Sequence, residues 1–171
     1  MNNTYILNGA RTAFTAFGGS FQSVNATELG TATAREAIKR SNVQASDIDQ
    51  VVYGNVIHSS TNAAYLSRHI ALKAGVPIET GALTVNRLCG SGMQSIVSAA
   101  QSIRLGESNL ALVGGAENMT MSPHASFTSR FGGVKYGSFQ FEDMLLSTLT
   151  DQYTGIGMGI TAENLADKYE I

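Results

Sequence analysis

The chain has 171 residues, a formal net charge of −2 and a charged-residue share of only 14%, against roughly 25% in an average soluble domain. Its length suits one domain with a sizeable core, and its charge gives no electrostatic footprint for nucleic acid or an anionic membrane. A single cysteine rules out an internal disulfide framework and suits a reducing cytosol, no apolar run nears the roughly 20 residues that span a bilayer, and His58, His69 and His124 are too scattered for a metal site.

Taken in chain order, Tyr5-Ile6-Leu7 is a short apolar run closed by Asn8-Gly9 and reads as a buried strand. Residues 11–23 are rich in Gly, Thr and Phe and read as a loop. Asn25 with Glu28 three positions later forms a capping-box pattern. It opens a helix through Leu29, Ala32, Ala37 and Ile38 that ends near Ser41-Asn42. Val51-Val52-Tyr53, continuing to Val56-Ile57, is the second strand. Asn62 caps a helix with Tyr65, Leu66, His69 and Ile70 on one face, stopped by Gly75-Val76-Pro77. Residues 82–85 form a third strand. A helix from Gly90 to about Ile103 and a strand at 110–113, stopped by Gly114-Gly115, complete the alternation. The pattern predicts an α/β fold with a mostly parallel sheet and right-handed crossovers. Beyond Met119 the periodicity fades until a last helix begins near Thr161 and runs to Tyr169. A stretch of this length without clear elements is usually functional or carries small elements of its own.

The helix after Cys89 has no charged residue before Arg104. A helix without a charged face is usually enclosed on all sides. The small residues Ser91, Gly92, Ser95, Ser98 and Ala99 permit close approach from several directions, so this helix is expected to lie between two layers. The four strands supply one layer, and the second is not evident in the chain.

Cys89 lies between a predicted strand and a predicted helix, in Asn86-Arg87-Leu88-Cys89-Gly90-Ser91-Gly92-Met93. A thiol there faces the positive end of the helix dipole and free backbone N–H groups, which favour the reactive thiolate. Gly90 and Gly92 leave the backbone open, so a thioester oxygen can reach N–H donors. A lone cysteine is more often a small buried hydrophobe. No histidine stands close in sequence to serve as base, and nothing marks His58 or His124 for that role. Gly155-x-Gly157-x-Gly159 lacks the preceding strand of a dinucleotide loop.

Asn86 to Met93 resembles the nucleophile motif N-x-x-C-G-S-G-(L/M) of the thiolases. Ala10-Arg11-Thr12 with Phe17-Gly18-Gly19, Tyr53-Gly54-Asn55-Val56, Gly114-Gly115-Ala116-Glu117-Asn118-Met119, Ser122-Pro123-His124 and Met158-Gly159-Ile160-Thr161-Ala162-Glu163-Asn164 match further motifs of that family in order and spacing. The resemblance spans nearly the whole chain. It implies a thiolase-like N-terminal α/β domain over 1–118, with a mixed, mostly parallel sheet and helices on both faces. It also implies the start of a loop domain over 119–171, with the C-terminal half outside this chain.

By the same resemblance, Cys89 is the acyl-thioester nucleophile and its own N–H an oxyanion donor, while Met158 lines the acyl pocket. Coenzyme A takes part as substrate or product, with no separate cofactor and no metal. The implied chemistry is acyl transfer to and from coenzyme A, as in acetoacetyl-CoA synthesis from two acetyl-CoA or its thiolysis. The strand at 82–85 is implied to join copies into a dimer or tetramer, with no nucleic-acid or membrane partner. Gly157 stands where many short-chain members carry His. The family's N-E-A, G-H-P and C-x-G motifs do not occur in the chain. The expectation is therefore that it does not turn over alone. The alternatives are a non-catalytic half that serves as a structural partner, and a condensing synthase of the same superfamily.

Overall fold

A computed structural model describes residues 3–171. The chain forms two compact units, Met1–Met121 and Ser122–Ile171.

The first unit is built on a three-stranded parallel sheet of β1 (Gln50–Gly54), β2 (Gly81–Val85) and β3 (Ala111–Gly115), in the order β2-β1-β3. In register, Val52 sits beside Leu83 on one side and Val113 on the other. The chain leaves β1 in one direction for β2, then crosses back over β1 to reach β3. With right-handed crossovers, that reversal places the connecting helices on opposite faces. Helix α2 (Leu66–Ala74) packs with α1 (Ala26–Ser41) on one face, and α3 (Ser91–Leu105) packs against β1 and β3 on the other.

Each helix has a local cause. At α1 the capping box forms as predicted: Glu28 N–H donates to Asn25 Oδ1 at 3.0 Å, and Asn25 N–H donates to Glu28 Oε2 at 3.0 Å. Asn42, left-handed at φ 54°, ends that helix. A short 3-10 turn at Ala63–Tyr65 leads into α2, which stops at left-handed Gly75. The face predicted for α2 is divided. Leu66 and Ile70 are fully buried, whereas Tyr65 lies outside and stacks on His69 with 5.6 Å between ring centroids.

The core on the α1/α2 face joins Val51, Tyr53 and Leu112 to Leu66, Ile70, Ala71 and Ala34. Buried Ser67 ties α2 to the sheet: its hydroxyl accepts from Tyr53 N–H at 3.2 Å and donates to Leu83 O at 2.8 Å. Ser95 and Ala99 of α3 are buried.

Three sequence expectations are corrected. Tyr5, Ile6 and Leu7 form no strand and are 57–79% exposed; an apolar run becomes a strand only when a neighbour supplies its hydrogen bonds, and none does among the described residues. The second strand ends at Gly54, although Ile57 beyond it is still buried. Gly114 and Gly115 belong to β3 instead of stopping it. A side chain at Gly114 would strike the Tyr53 ring at 2.6 Å, so this strand needs glycine where it passes that ring.

Helix α3 is enclosed on one side only within these residues. Ser91, Ser95 and Ala99 are buried, while Met93 is 65% exposed and Val97 borders solvent. The second layer expected from its uncharged sequence is not supplied by the described residues.

The second unit carries short elements: β4 (His124–Ala125) pairs with β5 (Glu142–Asp143), and β6 (Thr150–Asp151) with β7 (Ile156–Gly157), both antiparallel. Helix α4 (Met144–Leu149) is capped by Asp143, whose Oδ1 accepts from Leu145 N–H at 2.8 Å. Helix α5 (Met158–Tyr169) begins three residues before the predicted start, with Gly157 as its cap.

Candidate active site

The loops that leave β1, β2 and β3 meet at the carboxyl ends of the parallel strands. In open α/β sheets, ligands bind at this end. The polar residues gathered there come from Asn55 after β1, Asn86 after β2, and Glu117 and Asn118 after β3.

Glu117 organises the first of these loops. Its carboxylate accepts from Val56 N–H at 2.9 Å, from Ile57 N–H at 3.3 Å and from Asn55 Nδ2 at 2.9 Å. Burial pushes its carboxyl above the usual value of 4.5, against the pull of those bonds and of His58. Asn55 also donates from Nδ2 to Ala116 O at 3.0 Å and from its backbone N–H to Val85 O at 3.1 Å, which fastens the ends of all three strands together. Buried Asn118 reaches the other way: its Nδ2 donates to Phe21 O and Val24 O, each at 2.8 Å, and holds the approach to α1.

Cys89 sits on the turn between β2 and α3, two residues before the first helical residue, and it is exposed. Leu88 just before it is left-handed, with φ 48°. The neighbouring backbone is tightly paired. Arg87 N–H donates to Ser91 Oγ at 2.8 Å and Leu88 N–H to Asn86 Oδ1 at 3.0 Å. Gly90 N–H donates to Arg87 O and Ser91 N–H to Leu88 O, each at 3.0 Å. Among the described residues the N–H of Cys89 has no acceptor, and neither do those of Gly92 and Met93 in the first turn of α3. A helix start with unpaired N–H groups favours negative charge and can receive a developing oxyanion.

Gly54 lets this helix start come so close to the sheet, while the neighbouring Gly115 meets it at ordinary contact distance. A Cβ on Gly54 would lie 2.6 Å from the carbonyl carbon of Ser91, and one on Gly115 would lie 3.5 Å from Gly92 Cα. Gly54 and Gly115 are register partners on adjacent strands. Together they form the flat floor on which the first turn of α3 rests.

The other residues singled out from the sequence are placed as follows. Met158 is the first residue of α5 in the second unit and is 44% exposed. His58 is exposed on the loop after β1, His69 stacks on Tyr65, and His124 lies in β4. Neither His58 nor His69 hydrogen-bonds Cys89. Ser91 and the left-handed Leu88 escaped the sequence reading as functional positions. The one local signal was an Asn two residues before Leu88, the spacing of an Asx turn.

The fold is an α/β protein with an exposed cysteine on a strand–turn–helix junction at the carboxyl ends of its parallel sheet. The family model described as thiolase, N-terminal domain, matches residues 4–171, and the chain belongs to that family. It is 48% identical over 172 residues to the rat mitochondrial 3-ketoacyl-CoA thiolase, covering 100% of this chain and 43% of that protein. It is 46% identical to beta-ketothiolase BktB of Cupriavidus necator, covering 97% and 42%. The crystal structure of human mitochondrial 3-ketoacyl-CoA thiolase in complex with CoA superposes with a TM-score of 0.90 at 42% identity, over 97% of this chain and 44% of that one. The chain thus spans less than half the length of the curated relatives it matches. Among its described residues, no helix is long and apolar enough to cross a membrane.

Proposed function

We propose that the chain supplies the acyl-accepting half of a thiolase-type acyltransferase, with Cys89 as nucleophile and coenzyme A thioesters as substrates. One observation carries the reading: an exposed cysteine stands at the head of α3, beside N–H groups that have no acceptor among the described residues. The Cys89 thiolate attacks the thioester carbonyl carbon, the C–S bond to coenzyme A breaks, and coenzyme A leaves as the thiol after gaining a proton. The N–H of Cys89 receives the oxyanion of the tetrahedral intermediate. Acetyl is the acyl group we assign, in the manner of acetyl-CoA C-acetyltransferases. The relatives' names, which include a 3-ketoacyl-CoA thiolase and a beta-ketothiolase, support acyl-CoA chemistry of this kind.

The second half-reaction deprotonates another acetyl-CoA and so requires a positioned base. No base is bonded to Cys89 among the described residues, so the 171-residue chain by itself is expected to accept an acyl group without sustained turnover of acetoacetyl-CoA. Met158, at the head of α5, is assigned to the acyl pocket by its motif. The exposed edge strand β2, with Leu83 48% exposed and no proline or charge along 81–85, is assigned to pairing with a second copy.

The decisive experiment incubates the chain with radiolabelled acetyl-CoA, quenches in acid and maps the label by peptide mass spectrometry. Acid-stable label on Cys89, lost in Cys89→Ala, is expected. A chain that alkylates at Cys89 but never takes up acetyl there refutes the reading.

A further inference from the structure

The backbone just before the nucleophile poses a physical question. Leu88 holds φ 48°, a region that L-residues other than Gly, Asn and Asp rarely occupy. Packing does not force it there, because Leu88 is 61% exposed. Instead, side chains grip both of its peptide groups. Asn86 Oδ1 accepts from Leu88 N–H at 3.0 Å. Ser91 Oγ donates to Leu88 O at 2.7 Å and accepts from Arg87 N–H at 2.8 Å. Ser91 is in turn buried and seated against Gly54. Asn86 is braced from behind, where Asn55 N–H donates to the adjoining Val85 O at 3.1 Å.

We infer that Asn86 and Ser91 are positioning residues for Cys89, acting as two side-chain clips that hold Leu88 left-handed so that the sulfur and the Cys89 N–H face outward together. Neither needs to touch substrate. A left-handed residue turns the chain sharply, and the residue after it takes its direction from that turn. The clips also use up the N–H groups of Arg87 and Leu88, which leaves Cys89 the one residue of the tripeptide with an N–H to offer. This assignment rests on the acyl-transfer reading of Cys89.

The test uses the full chain with two readouts at Cys89: the rate of acylation by acetyl-CoA and the rate of alkylation by iodoacetamide, with thermal melts in parallel. Asn86→Ala and Ser91→Ala should each slow both reactions by roughly 10- to 100-fold, the scale of a small misplacement at a reacting centre. Asn86→Ser keeps a hydroxyl acceptor for the same turn and should stay within about threefold of native. Adding Leu88→Gly to Asn86→Ala should recover most of the loss, because glycine takes positive φ without a clip. A purely structural role for Asn86 predicts no such recovery. Because Ser91 is buried and its alanine variant could unfold, the exposed Asn86 series decides the matter. Native-like rates in Asn86→Ala, or no recovery on adding Leu88→Gly, overturn the inference. If native Cys89 takes no acetyl yet the alkylation series behaves as described, the positioning stands and the acyl-transfer reading falls.

Discussion

The contact between Gly54 and α3 can be tested by adding one methyl group. In Gly54→Ala the new Cβ would lie 2.6 Å from Ser91 C, 2.7 Å from Ser91 Cβ and 2.8 Å from Ser91 O, where ordinary contact begins at 3.4 Å. Two of these atoms are backbone, so no rotamer change relieves the clash. Gly54 ends the central strand and is paired on both sides, to Val85 and Gly115. The start of α3 must therefore move. Overpacking of this kind costs typically 1–3 kcal/mol, and the backbone contacts place Gly54→Ala near about 3 kcal/mol. In a chain of this size that lowers Tm by roughly 6–12 °C. Gly115→Ala is the control. Its Cβ would stand 3.5 Å from Gly54 O and Gly92 Cα, in ordinary contact, and its φ is not in the left-handed region. Its effect should stay within about 1 kcal/mol, with a gain open to it through lower unfolded-state entropy. Urea denaturation followed by circular dichroism measures both, and Cys89 alkylation by iodoacetamide should slow in Gly54→Ala alone. Equal urea midpoints for native and Gly54→Ala, or equal damage from the two alanines, refute the steric account.

Two further predictions concern stability. The Glu117 carboxyl is held above 4.5 by burial, so its ionisation is less favourable in the folded chain than in the unfolded one. Its contribution is therefore fully present below the unfolded value and is lost as pH rises through the higher folded value. Unfolding free energies of native and Glu117→Gln, measured from pH 4 to pH 8, should show the native chain losing ground to the variant as pH rises through that window; parallel curves contradict the assignment. Asn25→Ala removes the side-chain half of the capping box at α1 and should cost about 1 kcal/mol. Equilibrium denaturation reads this directly, and Asn25→Ser, which keeps an acceptor, should recover most of the loss.

The features read correctly from sequence share one property: their causes lie within a few residues. Asn25 finds Glu28 three positions on, Gly75 ends α2 by its own conformational freedom, and the Asn86–Met93 motif carries its turn and helix start with it. The alternation of strands and helices was legible because burying one face imprints a period on each element. What the tertiary structure decided depends on partners far away in the chain. Tyr5-Ile6-Leu7 has a strand's composition and, among the described residues, no strand beside it. Gly114-Gly115 looks like a stop signal, yet it is strand, and at Gly114 the Tyr53 ring fills the space a side chain would need. The pattern of α3 correctly marks an apolar helix but not which faces are covered. Leu88 gives no sign in its own identity of a left-handed backbone: its clips Asn86 and Ser91 are close in sequence, but Ser91 is held in place by Gly54, far away in the chain. Local hydrogen bonds are encoded in neighbouring letters, whereas burial and strain are set by whichever atoms the fold brings alongside.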